Sequence, residues 1–354
     1  MRSKRRSVIL FETLFLLAMT SSLYGGQWIN PKDVIKDPNV ARLNHNKQGL
    51  TKQESEEVNR YGHTGLEVMT YLDCNAMPGK DSDYTQYMIQ VNSWGHITHR
   101  KQLVKIKYYF KDYRALLARD GIQIGDVEYK RHFFNFHPPR TKGRAGVMRH
   151  YVRGEGFNKI EDGWSWDNKL RKISKSTTRN RTDSYVNSDV TLDDLQYREP
   201  WEENHRILGI DNFKDRECFV IESINKDPNY YLSKRIIWVE KENFLDLHIE
   251  EYDRKGQLFK VIDKDWAQEK PWNYWVVRSW DTFNLLTKYR TIILYYDWVF
   301  DQDFSEREFS QRELPKENLW RRPKDPPISV NRVSDLPPPP KVKGDFGERV
   351  ENQG

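Results

Sequence analysis

Cysteine is nearly absent. Only Cys74 and Cys218 occur among the 354 residues, too few and too far apart to build a metal framework or a disulfide-stapled miniature fold. In an exported chain the two could pair, and closing so long a loop would stabilise the fold by up to about 5 kcal/mol; two buried free thiols are the alternative. Aliphatic residues are also scarce: the hydrophobic fraction is 37%, below that of an ordinary globular domain. The chain lacks G-x-S-x-G, G-x-x-x-x-G-K-S/T and H-E-x-x-H, so the common serine hydrolase, P-loop and zincin chemistries have no motif here. His96 and His99 have no carboxylates clustered beside them and read as loop histidines. Charge is not one-sided, with 58 Lys and Arg against 52 Asp and Glu. The resulting +6 favours anionic partners such as lipid headgroups only modestly.

Aromatic residues are plentiful: 12 Trp, 19 Tyr and 16 Phe. A disordered chain would hold few of them, whereas large rings on sheet faces suit a β-rich protein. The N-terminus pairs a basic run, Arg2 to Arg6, with a short apolar stretch from Val8 to Thr20 and small residues from Ser21 to Gly26. This is the pattern of a secretory signal peptide over residues 1–26, too short for a comfortable transmembrane span. Export to the periplasm is expected, and association with the outer membrane remains open. Residues 27–65 read as a polar segment with one short helix, introduced by the capping box Thr51-Lys52-Gln53-Glu54. Residues 321–354 hold the run Pro337 to Pro340 with few core formers and read as a disordered, proline-rich tail.

Between them, residues 66–320 show strands at hairpin spacing. Leu66–Cys74 and Tyr84–Ser93 read as strands, Lys101–Phe110 as strand or helix, and Tyr113–Arg119 as helix. Phe134 and Phe136 share one strand face before Pro138-Pro139, and Ala145–Val152 follows as a strand. Trp164 and Trp166 share a face of the next strand, which ends at the turn pair Asp167-Asn168. Leu170–Ile173 is a short strand and Ser174–Ser184 a basic loop. Thr191 and Asp194 then fit a capping pattern before a short helical turn. Further strands fit Glu217–Glu222, Tyr231–Glu240, the hairpin around Asp253-Arg254-Lys255-Gly256, Tyr274–Thr282 and Thr287–Phe300, with a closing short helix at Asp303–Phe309.

Two phrases carry a resemblance. Arg171-Lys172-Ile173-Ser174, followed by Ser188-Asp189, Thr191, Asp194 and Leu195, resembles a signature of the LolA-like outer-membrane lipoprotein-sorting proteins, in the branch found beside RND-type exporters. Tyr185-Val186-Asn187 stands where Phe-Met-Gly is usual, and Val190 replaces a Phe. The second phrase is the hairpin Glu250-Glu251-Tyr252-Asp253-Arg254-Lys255-Gly256-Gln257-Leu258-Phe259-Lys260. Motif residues carried over by this resemblance are Arg171, Ser174, Ser188, Asp189 and Asp194.

The resemblance implies a mainly β fold: a strongly curved antiparallel sheet, or half-barrel, with short helices covering its opening. It implies a non-enzymatic carrier with no cofactor, whose cargo is a lipid or a lipoprotein acyl chain and whose partner is an RND-type transporter. Carrying a sixteen-carbon chain through water requires shielding on the order of 10 kcal/mol, at about 0.8 kcal/mol per methylene. Only a concave apolar surface supplies that. Candidate lining residues are Phe134, Phe136, Trp164, Trp166 and Trp238, with basic loops holding an anionic headgroup. Nucleic acid is not an expected partner, despite the basic run Lys169 to Arg181 beside two tryptophans. A glycan- or peptidoglycan-associated envelope protein, and an accessory subunit of an envelope transporter, remain as alternative readings.

Overall fold

Thirteen antiparallel strands form one sheet that does not close into a barrel. They are β1 (Asp81–Val91), β2 (Ile97–Tyr108), β3 (Val127–His137), β4 (Ala145–Tyr151), β5 (Glu161–Asp167), β6 (Lys172–Ser176), β7 (Glu203–Phe213), β8 (Arg216–Asn225), β9 (Leu232–Glu240), β10 (Asp246–Asp253), β11 (Leu258–Glu269), β12 (Tyr274–Asn284) and β13 (Arg290–Phe300). The computed structural model describes residues 50–74, 78–109, 125–153, 159–176, 181–195 and 198–344. The leader expected at 1–26, the helix at Tyr113–Arg119 and the last ten residues lie outside them. No described helix is long and apolar enough to cross a membrane.

The spatial order is β6-β5-β4-β3-β2-β1-β13-β12-β11-β10-β9-β8-β7. Two meanders therefore meet where β1 pairs with β13, for example at Met88 opposite Ile293. The first meander ends at one edge of the sheet and the second begins at the opposite edge. The chain between β6 and β7 must cross from one edge of the sheet to the other, and the second half of the first family-like phrase, Ser188 to Leu195, lies in this crossing.

Register divides the sheet into two faces. Ile207, Ile221, Ile237, Ile249 and Ile262 are cross-strand partners from β7 to β11. Helix α2 (Gly65–Cys74) packs on them through Val68, Met69 and Tyr71, together with Val190 of the crossing segment. We call this helix-covered side the inner face. Residues Gly65–Cys74 are thus a helix, not the strand expected from Leu66. Thr64 and Glu67 form a reciprocal cap (Glu67 N to Thr64 Oγ1 3.1 Å, Thr64 N to Glu67 Oε2 2.9 Å). Val68, Met69, Tyr71 and Leu72 then fall at helical spacing on one side. Gly65 enters against β7 so closely that a Cβ would stand 2.9 Å from the His205 carbonyl carbon. Ahead of it, α1 (Lys52–Tyr61) starts at the expected box on Thr51 and Glu54. Its buried Glu57 accepts from Gly65 N at 2.8 Å and Ile207 N at 3.1 Å, tying both helices to β7.

The C-terminal chain covers the outer face. Phe304, Phe309, Leu314 and Trp320 pack on Leu103, Phe134, Ala145 and Val147. Lys105 to Glu308 (2.8 Å) and Lys130 to Glu306 (2.5 Å) pin this segment to β2 and β3. The disorder expected for 321–354 does not hold for 321–344, which continue across the outer face as a strap. Arg321 meets Asp83 at 2.5 Å, and Val330 is 3% exposed against Tyr87, Ile89 and Ile292. Arg290 donates to the carbonyls of Pro337 (2.7 Å) and Pro338 (3.1 Å), and Glu250 accepts from Lys343 N (2.6 Å) and Gly344 N (3.1 Å). A polyproline segment bonds nothing within itself, so its carbonyls remain available to donors from the sheet.

Candidate functional site

The crossing segment organises the inner face. Ser188 Oγ donates to Tyr185 O (2.7 Å) and accepts from Val190 N (3.1 Å), closing a tight turn. Val186 (φ 48) and Asn187 (φ 62) occupy the left-handed region in this turn. Asn tolerates that conformation where the family phrase has glycine, whereas a β-branched residue there is strained. Gln90 holds the turn through Val186 O at 3.1 Å. Asp189 accepts from Asn284 Nδ2 at 3.1 Å. The one-turn helix α3 (Leu192–Leu195) follows, capped reciprocally by Thr191 and Asp194 as expected.

Beyond that cap lies a buried cluster of charges. Lys260, 1% exposed, meets Asp194 at 2.8 Å and Glu251 at 2.7 Å. Glu251 and Lys260 are register partners in the β10–β11 hairpin, so the two family-like phrases converge on one ion-pair cluster. Arg198 reaches Asp193 at 2.6 Å, and Arg181 reaches the other oxygen of Asp193 at 2.6 Å. Tyr230 and Tyr231 donate to the same carboxylate, and Arg235 pairs with Glu203 at the end of the crossing. Burial opposes ionisation of Asp193, but Arg198 and Arg181 outweigh it and hold its carboxyl below the ordinary carboxylate range. Burial would likewise raise Asp194, yet Lys260 and Arg198 hold it low. Burial and the neighbouring Asp194 push Glu251 up, so it is the carboxylate of the Lys260 pair that takes a proton first. Among the described residues no three His, Cys, Asp or Glu side chains form a metal-binding group; the cluster's own cations fill it.

A folded-state pKa held below the unfolded value stabilises above that value and loses the contribution as pH falls. Asp193 is such a group, with an ordinary value of 3.8. We expect the folded chain to lose stability progressively below about pH 4, and the Asp193→Asn chain to lose less over that range, since its other depressed carboxylates, such as Asp162 and Glu306, still titrate. Denaturant melts of both proteins at pH 7, 4 and 3 measure this. Parallel acid slopes would assign the loss to other carboxylates.

Beside α3, whose Leu195 lines it, the inner face holds a cavity of about 120 Å³. Tyr84, Tyr108, Tyr129, Trp266, Trp280, Tyr295 and Trp298 are among its walls, with Ile106, Val277 and the polar side chains of Gln86 and Arg131. Tyr84 lies 4.1 Å from Trp298 and 5.8 Å from Tyr295, centroid to centroid. Gln102 bonds Gln86 (2.5 Å) and the Tyr185 hydroxyl (2.9 Å), so the cavity wall is connected to the crossing segment.

None of the five lining residues expected from sequence borders this cavity. Phe134, Phe136, Trp164 and Trp166 form one outer-face cluster under the segment 304–320. Register explains this: Leu103, Phe134, Ala145 and Trp166 are successive partners on the face opposite Tyr129 and Arg131. Trp238 is wholly buried, its Nε1 donating to Asp211 at 3.0 Å, edge-on to His248. Phe134 and Trp238 are core residues, whereas Phe136, Trp164 and Trp166 are partly buried against the outer-face cluster, and Phe136 lines a separate outer-face cavity of about 610 Å³. Among the motif residues, Ser188, Asp189 and Asp194 come together in the crossing, whereas Arg171 (φ 51) and Ser174 are exposed at the β5–β6 hairpin. Basic residues Lys169, Arg171, Lys172 and Lys175 do not line the cavity. Of the two alternatives read from sequence, Cys218 stands as a buried free thiol, pushed up to about 12 by burial and then by Glu240; the Cys74 side chain lies outside the described residues. The cavity residues Tyr84, Tyr108, Arg131 and Tyr295 were not singled out from sequence. They alternate with outer-face residues in strands whose two faces are both covered, so period two does not say which side is inner.

A family model described as an uncharacterised protein matches residues 130–316, more than half of the chain. No curated protein matches in sequence. Among solved structures, a domain described as an outer membrane lipoprotein-sorting protein from Vibrio parahaemolyticus is 23% identical with a TM-score of 0.57, covering 71% of this chain and 98% of its own. A DUF1329 family protein from Desulfovibrio piger is 18% identical with a TM-score of 0.59, covering 75% of this chain and all of its own. These likenesses establish the fold: the expected curved, open antiparallel sheet with short helices over one face.

Proposed function

We propose a carrier role for this chain, which belongs to the uncharacterised family whose model spans residues 130–316 and has the fold of the LolA-like outer-membrane lipoprotein-sorting proteins. In this reading it works in the periplasm, carries out no chemical step, and shields an acyl chain of a lipid or lipoprotein on its inner face. An RND-type envelope transporter is the partner that the resemblance suggests. The observation that supports the reading is the inner-face cavity, walled by tyrosine and tryptophan rings. Its 120 Å³ is of the order of an engineered cavity that admits benzene. It therefore takes a ring or a short run of methylenes. A full chain requires the inner-face cover to lift, and the crossing segment, tied to the cavity wall through Gln102 and Tyr185, is placed to respond. The outer-face tryptophans Trp164 and Trp166 lie in the cluster beneath the C-terminal segment, which speaks against a glycan-stacking platform there.

Detergent-free native mass spectrometry tests the reading, together with uptake of a fluorescent fatty acid. We expect a co-purified acylated species or saturable probe binding, and loss of binding in Ile106→Trp, which fills the cavity from β2. A clean apo mass with no probe uptake by the unmodified chain would overturn it.

A further inference from the structure

Most described inner-face cations meet a carboxylate, Arg100 and Arg131 excepted. Lys260 meets Asp194 and Glu251, Lys264 meets Asp246, Arg198 meets Asp193 and Arg235 meets Glu203. Arg131 differs. It projects from β3 into the cavity wall, and its one hydrogen bond among the described residues runs from Nη2 to Gln86 Oε1 at 3.2 Å. Gln86 is neutral, and its oxygen already accepts from Gln102. Arg131 Nε is buried without a partner. No described carboxylate comes within ion-pair distance of it. The phenols of Tyr84, Tyr129, Tyr185 and Tyr295 lie around it. Arg100 also lacks a carboxylate but lies outside the cavity lining.

A guanidinium does not lose its proton in a protein, and a cation among rings is costly unless something anionic meets it. Its planar fork fits a carboxylate or phosphate in two-point contact. Aromatic walls beside it fit apolar carbon. We propose that the cavity binds an amphiphile with its anionic group on Arg131 and its hydrocarbon against Tyr84, Tyr108 and Trp298, making Arg131 the specificity-determining residue for acidic over neutral lipids. This rests on the carrier reading and narrows its cargo. It also moves the headgroup from the exposed basic hairpin to the interior. Carboxylate and phosphate share the chemistry, so a fatty acid and a phosphorylated lipid are both admitted.

Competition against a fluorescent fatty acid tests this in the full chain, with dodecanoic acid, dodecyl phosphate, dodecanol and inorganic phosphate as competitors. At least one acidic amphiphile should bind about tenfold or more tighter than dodecanol, and Arg131→Met should bring acid and alcohol together. The stronger acid identifies the headgroup chemistry. If acid and alcohol compete equally in the unmodified chain, the Arg131 proposal falls while the carrier reading stands. If inorganic phosphate competes as well as dodecyl phosphate, the site is a phosphate site and the amphiphile proposal falls. If the probe does not bind at all, both readings fall. Arg131→Lys, which keeps the charge but loses the fork, should retain part of the preference; circular dichroism and thermal melting of both variants separate lost selectivity from lost folding.

Discussion

Lys260→Met should destabilise the fold by about 3–5 kcal/mol, because it leaves Asp194 and Glu251 buried beside each other with only the more distant Arg198, at 3.7 and 3.5 Å, to offset their charge. In a domain of this size that is a fall in Tm of roughly 10 °C. The side chain is 1% exposed and both ion pairs are shorter than 3 Å, so solvent screening cannot soften the loss. The pair energy is not itself the quantity predicted. Replacing the whole group, as Lys260→Met with Asp194→Asn and Glu251→Gln, should recover much of the stability, since removing every charge also removes the desolvation cost. Thermal and denaturant unfolding of the single and triple variants decide the matter. A single variant within about 1 kcal/mol of the parent would mean that the cluster does not fasten the crossing segment to the sheet. Proteolysis near Arg181 to Leu195 is an independent readout, because release of that segment exposes its backbone before global unfolding.

Ending the chain at Trp320 should produce a less stable protein that self-associates. The strap 321–344 buries Val330 and covers Tyr87, Ile89, Ile292 and Leu294. Its removal forfeits about 1.5–3 kcal/mol at Val330 alone. It also strips two carbonyl acceptors from Arg290 and two backbone donors from Glu250. A total on the order of 5 kcal/mol follows. The uncovered outer face becomes a contiguous apolar patch of the kind that drives association. Size-exclusion chromatography and denaturant melts of the shortened chain test both effects, and hydrogen exchange should show faster opening of β1 and β13. A monomer of unchanged stability would mean that the strap contributes nothing to the fold.

Much of the strand pattern was legible because it depends on local signals. Alternation and turn chemistry located β1, β4, β5, β8, β9 and the β10–β11 hairpin, whose Gly256 takes the positive φ expected of it. Capping boxes at Thr51 and Thr191 form as the residues predict. One cap was overlooked: Thr64 and Glu67 announce α2, but the short apolar stretch Leu66–Leu72 suits either a strand or a helix until a neighbour chooses. The sheet has 13 strands with both faces covered, so aromatic residues at spacing two mark a face without marking the inner one. That is why Phe134 and Trp166 looked equivalent to Tyr129 and Arg131 in sequence, and why only the latter pair reaches the cavity.

The sequence by itself determined the class of fold and the two phrases that matter, since each depends on residues within a turn or a strand of one another. Only the tertiary structure decided where those phrases meet. The topology sends the chain from edge β6 to edge β7, and that crossing brings Asp194 to Lys260, 66 positions away. It also decided that a proline-rich terminus is held. Polyproline has no internal hydrogen bonds with which to declare an ordered state, so its order comes from Arg290, Glu250 and an apolar groove supplied by distant strands. Arg131 is the same case in reverse: its charge is plain in the sequence, and the absence of a carboxylate beside it among the described residues is a property of the folded surroundings alone.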